Sequence, residues 1–134
     1  MVIDSSAIIA ILRGESDADA LERRLVAAPV RLIPATCVVE ARMVLASRYG
    51  DAVLADLDLW LAQIDADVIP IDAELADLAT VAWLTYGKGR HPASLNFADC
   101  FSYAVAKRAG LPLLFKGEDF ARTDLLDAMD SARK

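Results

Sequence analysis

Asp4 follows the apolar start MVI, Glu40 interrupts the apolar helical stretch TCVVEARMVLA, Asp99 lies just inside NFADCFSYAVAKRAG, and Asp119 follows the apolar run of PLLFKGEDF. Carboxylates in apolar surroundings are costly to bury unless something neutralises them. Two of them brought to ~4 Å repel by ~4 kcal/mol at an effective dielectric of about 20. A converging set must therefore take up protons or bind a cation. Ligands that are all oxygen favour Mg²⁺ or Mn²⁺ over Zn²⁺. Such an ion orients a phosphate, generates hydroxide from bound water and stabilises a leaving oxygen, which is the chemistry of a hydrolytic centre.

Each acid also has a plainer role open to it. Asp4 and Asp119 suit helix caps, Glu40 suits a pair with Arg42 or Arg48, and Asp99 gains from a helix N-terminal dipole worth ~0.3–1 kcal/mol. The joint reading depends on the elements that position them. A strand over Val2–Asp4 runs into a helix through Ser5, Ser6 and AIIAIL. Asp17–Ala28 reads as a helix with Leu21, Leu25 and Ala28 on one face, ended by Pro29, and Val30–Pro34 is a second strand. Thr36 is expected to cap a helix stopped by Gly50, and Asp51 the next, with Leu54, Leu57, Leu61 and Ile64 at helical spacing. Asp67–Ile71 is a third strand, and Asp72 caps a helix through Leu75, Leu78, Ala79 and Ala82. The polar connection Gly87–Leu95 is the expected mobile element. Asn96 opens the helix carrying Asp99, Gly110 closes it, and Pro112–Phe115 is a fourth strand before short helical pieces.

Strands separated by helices predict an α/β fold with a parallel sheet. Sites in such sheets form outside the carboxyl ends of the strands. Asp4 sits at one such end, Asp119 just beyond another, and Glu40 about one turn into the helix leaving the second strand.

At 134 residues the chain reads as a single domain over 1–134 with a real core. Its hydrophobic fraction of 56% and mean hydropathy of +0.36 are high, yet no stretch reaches the ~18–20 apolar residues of a membrane helix. The excess suggests apolar surface covered by another chain. No secretory signal is visible, so a cytoplasmic place without membrane association is expected. Cys37 and Cys100 read as reduced core thiols. A net charge of −6 argues against broad charge-driven nucleic-acid binding. Local basic groups remain: Lys88, Arg90 and His91 in one loop, and Lys107, Arg108 and Lys116 after the third acid. His91 has no second His or Cys at ligand spacing and suits a surface or phosphate contact.

The order MVIDSSAIIAIL, an apolar helix with an internal Glu, then LNFADCFSYAVAKRAGLPLLFKGEDF resembles the PIN-domain ribonucleases, and more narrowly the VapC toxins of VapBC toxin–antitoxin modules. The resemblance spans the chain, including YGKGRH and the closing DFARTDL, and is most specific from Asn96 to Phe120. It implies a three-layer α/β/α fold with a central parallel sheet of about four to five strands, and Mg²⁺- or Mn²⁺-dependent cleavage of RNA, either tRNA or rRNA. It implies a VapB antitoxin as partner, and a homodimer or toxin–antitoxin hetero-oligomer. Asp4, Glu40 and Asp99 carry over as the first three acids, and Ser6 as a hydroxyl supporting the first. Gly117 stands where many relatives place the fourth acid, so that role passes to Asp119, with Glu118 the weaker candidate.

Two rivals remain at this level. A phosphoryl-transfer α/β domain also gathers acids at strand ends; the dehalogenase pattern needs an Asp where Ser6 stands, and a receiver needs a Lys partner for Asp72. A catalytically inactive PIN-like interaction module would use the apolar helices Asp51–Ile64 and Asp72–Thr85 to bind partners.

Overall fold

The computed structural model describes residues 1–131. Its strands are β1 (Val2–Ile3), β2 (Leu32–Pro34), β3 (Asp67–Ile69) and β4 (Leu113–Leu114). They form one parallel sheet in the order β3-β2-β1-β4. The helices are α1 (Ser5–Leu12), α2 (Ala18–Ala27), α3 (Ala35–Tyr49), α4 (Val53–Gln63), α5 (Ala73–Tyr86), α6 (Phe97–Ala109) and α7 (Ala128–Ser131), with a 3₁₀ turn at Phe120–Arg122.

Two-residue alternation divides the strands between two cores. Ile3, Ile33 and Leu114 pack under α1, α2, α3 and α4. Val2 and Leu113 face the other way, against α5 and α6. The result is a three-layer α/β/α arrangement in which β1 and β4 are buried on both faces and so read as apolar runs, while edge strand β3 leaves Asp67 and Val68 exposed.

Several expected boundaries shift. Asp4 leaves β1 to cap α1, accepting the Ser6 N–H at 3.0 Å. Val30, Arg31, Pro70, Ile71, Pro112 and Phe115 lie outside the strands. Thr36 does not cap α3: the strand-to-helix turn at Pro34 starts the helix at Ala35, and the Thr36 Oγ1 is buried inside it without a partner. Asp51 does not cap α4 either, because the reversal at Gly50 (φ 85°) carries the chain to Ala52 before the helix restarts. Asp72 does cap α5, accepting the Leu75 N–H at 2.9 Å.

The Gly87–Leu95 connection is not the loose element its composition suggested. Lys88 donates its N–H to the Leu95 carbonyl at 2.9 Å, and Leu95 donates to that of Tyr86 at 3.0 Å. Ala93 and Leu95 are fully buried, and the His91 Nδ1 accepts the Ala93 N–H at 3.0 Å. His91 thus serves its own loop.

Candidate active site

Asp4 is 3% exposed at the carboxyl end of central β1. Its Oδ2 accepts both the N–H and the hydroxyl of Ser6, at 3.0 and 2.6 Å. Its Oδ1 accepts the Ser102 hydroxyl of α6 at 2.5 Å, with the Cys37 Sγ of α3 3.7 Å away. The donors are neutral, so they hold the carboxylate in place without cancelling its charge. Lys116 donates its backbone N–H to the Ser6 Oγ at 3.0 Å, tying the segment after β4 to the same corner.

Glu40 is half-buried on α3 and accepts a hydrogen bond from the hydroxyl of buried Ser5. It forms no pair with Arg42, which instead meets Asp58 at 3.0 Å. Asp99 is half-buried in the first turn of α6 and completes a capping box: its Oδ2 accepts the Asn96 N–H while its own N–H reaches the Asn96 side chain. Asp119 precedes the 3₁₀ turn, is exposed, and makes no side-chain cap bond. Glu118 beside it is exposed as well.

Asp99 registers the whole set. Burial pushes its carboxyl up to about 7, and the charges of Asp4, Glu40 and Asp119 add to that push. The Asn96 N–H opposes it. The fold thus brings four acids from distant parts of the chain into one electrostatic neighbourhood. Among the described residues, however, no three carboxylates stand close enough to grip one ion directly.

Cys37 and Cys100 are both free and buried. Burial pushes the Cys37 thiol far up, helped by the Asp4 charge, so it is present as S–H. The basic residues are largely committed elsewhere. Lys107 pairs with Asp124, Arg108 with Asp72 and Glu74, and Lys116 with Glu15 and Asp17. Arg90 lies over the Trp83 ring at 4.3 Å. Lys88 lines a groove of about 550 Å³ between α5 and α6, with Trp83, Asn96, Phe97 and Phe101.

Sequence reasoning missed Ser5, Ser102 and the contact of Cys37 with Asp4. For Ser102 a signal was present: it lies three residues after Asp99, on the same face of a helix whose surrounding positions are apolar.

The PIN domain family model matches residues 1–126. The chain is 49% identical over 125 residues to a ribonuclease VapC of Mycolicibacterium smegmatis, covering 93% of this chain and 97% of that one. The chain belongs to the PIN-domain family, among its VapC ribonucleases. It is therefore a hydrolytic RNA-cutting enzyme, and the phosphoryl-transfer rival falls. Two solved structures agree in architecture. The Mycobacterium tuberculosis VapC20, a toxin that cleaves the sarcin–ricin loop, superposes with a TM-score of 0.76 at 19% identity, covering 94% of this chain and 96% of that one. A chain of a toxin–antitoxin complex from Klebsiella pneumoniae gives 0.69 at 22% identity, covering 92% of each chain.

Proposed function

We propose that this chain is the toxin of a type II toxin–antitoxin pair: an endoribonuclease that uses Mg²⁺ or Mn²⁺ to cut tRNA or rRNA in the cytoplasm until a VapB antitoxin neutralises it. The observation that carries the reading is the convergence of the Asp4, Glu40 and Asp119 charges on Asp99. The donor set is all oxygen, which suits Mg²⁺ or Mn²⁺, and Mg²⁺ keeps several waters and takes only one or two carboxylates. Asp4, Glu40, Asp99 and Asp119 would hold the ion, directly or through water. When bound, it supplies a nucleophile at neutral pH and charge stabilisation at the phosphate.

The chain's own residues do the rest. Ser6 and Ser102 hold Asp4, Ser5 holds Glu40, and the capping box holds Asp99, so three of the four carboxylates are held in place before substrate arrives. Lys88 and Arg90, near the start of α6, are the better candidates for neighbouring RNA phosphates. Lys116 is spent on Glu15 and Asp17.

The antitoxin partner and an oligomer are supported by exposed apolar side chains on two helices. They are Val39 and Met43 on α3, and Val81, Trp83 and Leu84 on α5.

The test is cleavage of total RNA by the purified chain with and without Mn²⁺, with the new ends mapped by sequencing. Discrete Mn²⁺-dependent cuts in a few tRNA or rRNA positions are expected. Equal cutting in EDTA would sink the metal assignment, and no cutting under either condition would sink the toxin role.

A further inference from the structure

Ser102 and Cys37 are each fully buried, on α6 and α3 respectively, and both reach Asp4. The Ser102 Oγ lies 2.5 Å from the Asp4 Oδ1 and 3.0 Å from the Cys37 Sγ. A serine hydroxyl has one hydrogen to give. Ser102 gives that hydrogen to Asp4. The Cys37 S–H then donates to the Ser102 oxygen, at the shorter of its two distances. With the Ser102 hydrogen given to Asp4, the order of donation runs from thiol to hydroxyl to carboxylate. A serine inside a helix ordinarily spends its hydroxyl on a carbonyl one turn back. Ser102 spends its own on a carboxylate 98 residues away.

We propose that Ser102 and Cys37 are positioning residues for Asp4, a buried donor chain that sets the direction in which the carboxylate meets the metal ion. The inference rests on the proposed metal-dependent function. Ser6 clamps Oδ2 from the β1–α1 junction, and Ser102 clamps Oδ1 from α6. With both oxygens held, the carboxylate plane cannot rotate. Ser102 shares its helix with Asp99, and Cys37 shares its helix with Glu40, so the chain also links the elements bearing three of the four acids. Groups of this kind, one step removed from a metal, typically change its affinity about 10–100-fold when removed.

The test uses the full chain. Mn²⁺ affinity is measured by calorimetry, kcat and KM on a fluorogenic RNA, and melting in EDTA, for the parent and for Ser102→Ala, Cys37→Ala, Cys37→Ser and the double alanine variant. Ser102→Ala is expected to weaken Mn²⁺ binding by about 10–100-fold and lower kcat with KM for RNA unchanged. Cys37→Ala is expected to weaken it less, and Cys37→Ser, which keeps a donor, to restore it. The double variant should bind Mn²⁺ no worse than Ser102→Ala, because the thiol, 3.7 Å from Asp4 but 3.0 Å from Ser102, acts through the hydroxyl. Parental Mn²⁺ affinity in Ser102→Ala overturns the proposal, as does a loss in Cys37→Ala that persists in full when Ser102 is already alanine. If Ser102→Ala loses its cooperative melt, the Cys37 pair decides: equal Mn²⁺ affinity for alanine and serine overturns the proposal. A parent chain that binds no Mn²⁺ and cuts no RNA overturns the function itself, a result distinct from the failure of the donor chain alone.

Discussion

Asn96 and Asp99 satisfy each other: the Asp99 Oδ2 accepts the Asn96 N–H at 3.0 Å, and the Asn96 Oδ1 accepts the Asp99 N–H at 2.9 Å. One carboxylate therefore helps open a helix and feels the charges of three other acids. An amide in its place keeps the cap and removes the charge.

Asp99→Asn is accordingly expected to abolish RNA cleavage while stabilising the metal-free chain. The Asp99 carboxyl is raised from 3.8 to about 7 in the folded state, so folding favours its protonated form. The penalty is absent below about pH 4, grows through pH 4–7 and is complete above pH 7. The gain over the parent at pH 8, discounted for its partial exposure, is roughly 1–2 kcal/mol and should vanish near pH 4. Urea melts in EDTA at the two pH values measure it. Equal parent and variant stability at pH 8 would contradict the raised carboxyl.

Metal binding should displace the proton that Asp99 retains. Mn²⁺ affinity is expected to rise as pH increases from 5 towards about 7 and to level off above it. Calorimetry at pH 6 in buffers of differing ionisation heat should show proton release on binding. A pH-independent affinity would remove Asp99 from the ligand set.

Asp119 and Glu118 separate cleanly by substitution. Both are exposed, and Asp119 makes no side-chain cap bond, so either amide variant should leave stability within about 0.5 kcal/mol of the parent. Asp119→Asn is expected to cut kcat at least about tenfold, as removal of a charge at a catalytic metal does, and Glu118→Gln to leave it unchanged. The reverse pattern would hand the fourth position to Glu118.

The buried, unpartnered hydroxyl of Thr36 is a stability cost inside α3. Thr36→Val keeps the shape and removes the polar atom, and is expected to raise stability by about 1 kcal/mol. A destabilised variant would show that the hydroxyl has a partner.

The parts legible in the sequence were those governed by local pattern. The α2 face of Leu21 and Leu25, the Asp72 cap, the Asn96 opening of α6 and the Gly110 stop all follow from spacing and capping chemistry, and the structure has them there. The misread elements answer to tertiary context. Thr36 and Asp51 have the right chemistry to cap, but the turns at Pro34 and Gly50 decide where those helices begin. The Gly87–Leu95 loop has a loose composition, yet burial of Ala93 and Leu95 pins it. Three of the acids could be placed from strand ends and first turns. The Ser5 hydroxyl could not, and for Ser102 only its spacing from Asp99 pointed to it, because a serine looks the same whether its hydrogen goes to its own helix or to a carboxylate 98 residues away.

The strand order β3-β2-β1-β4 also governs timing. β1, made first, sits between β2 and β4, and β4 comes from Leu113–Leu114 near the far end of the described chain. Until that last strand leaves the ribosome, β1 has an open edge, and Asp119 and the Lys116 N–H that meets Ser6 are missing. No growing chain short of them holds the complete acid set. On the proposed function, a nascent chain in which β4 has not yet joined the sheet would lack cleavage activity.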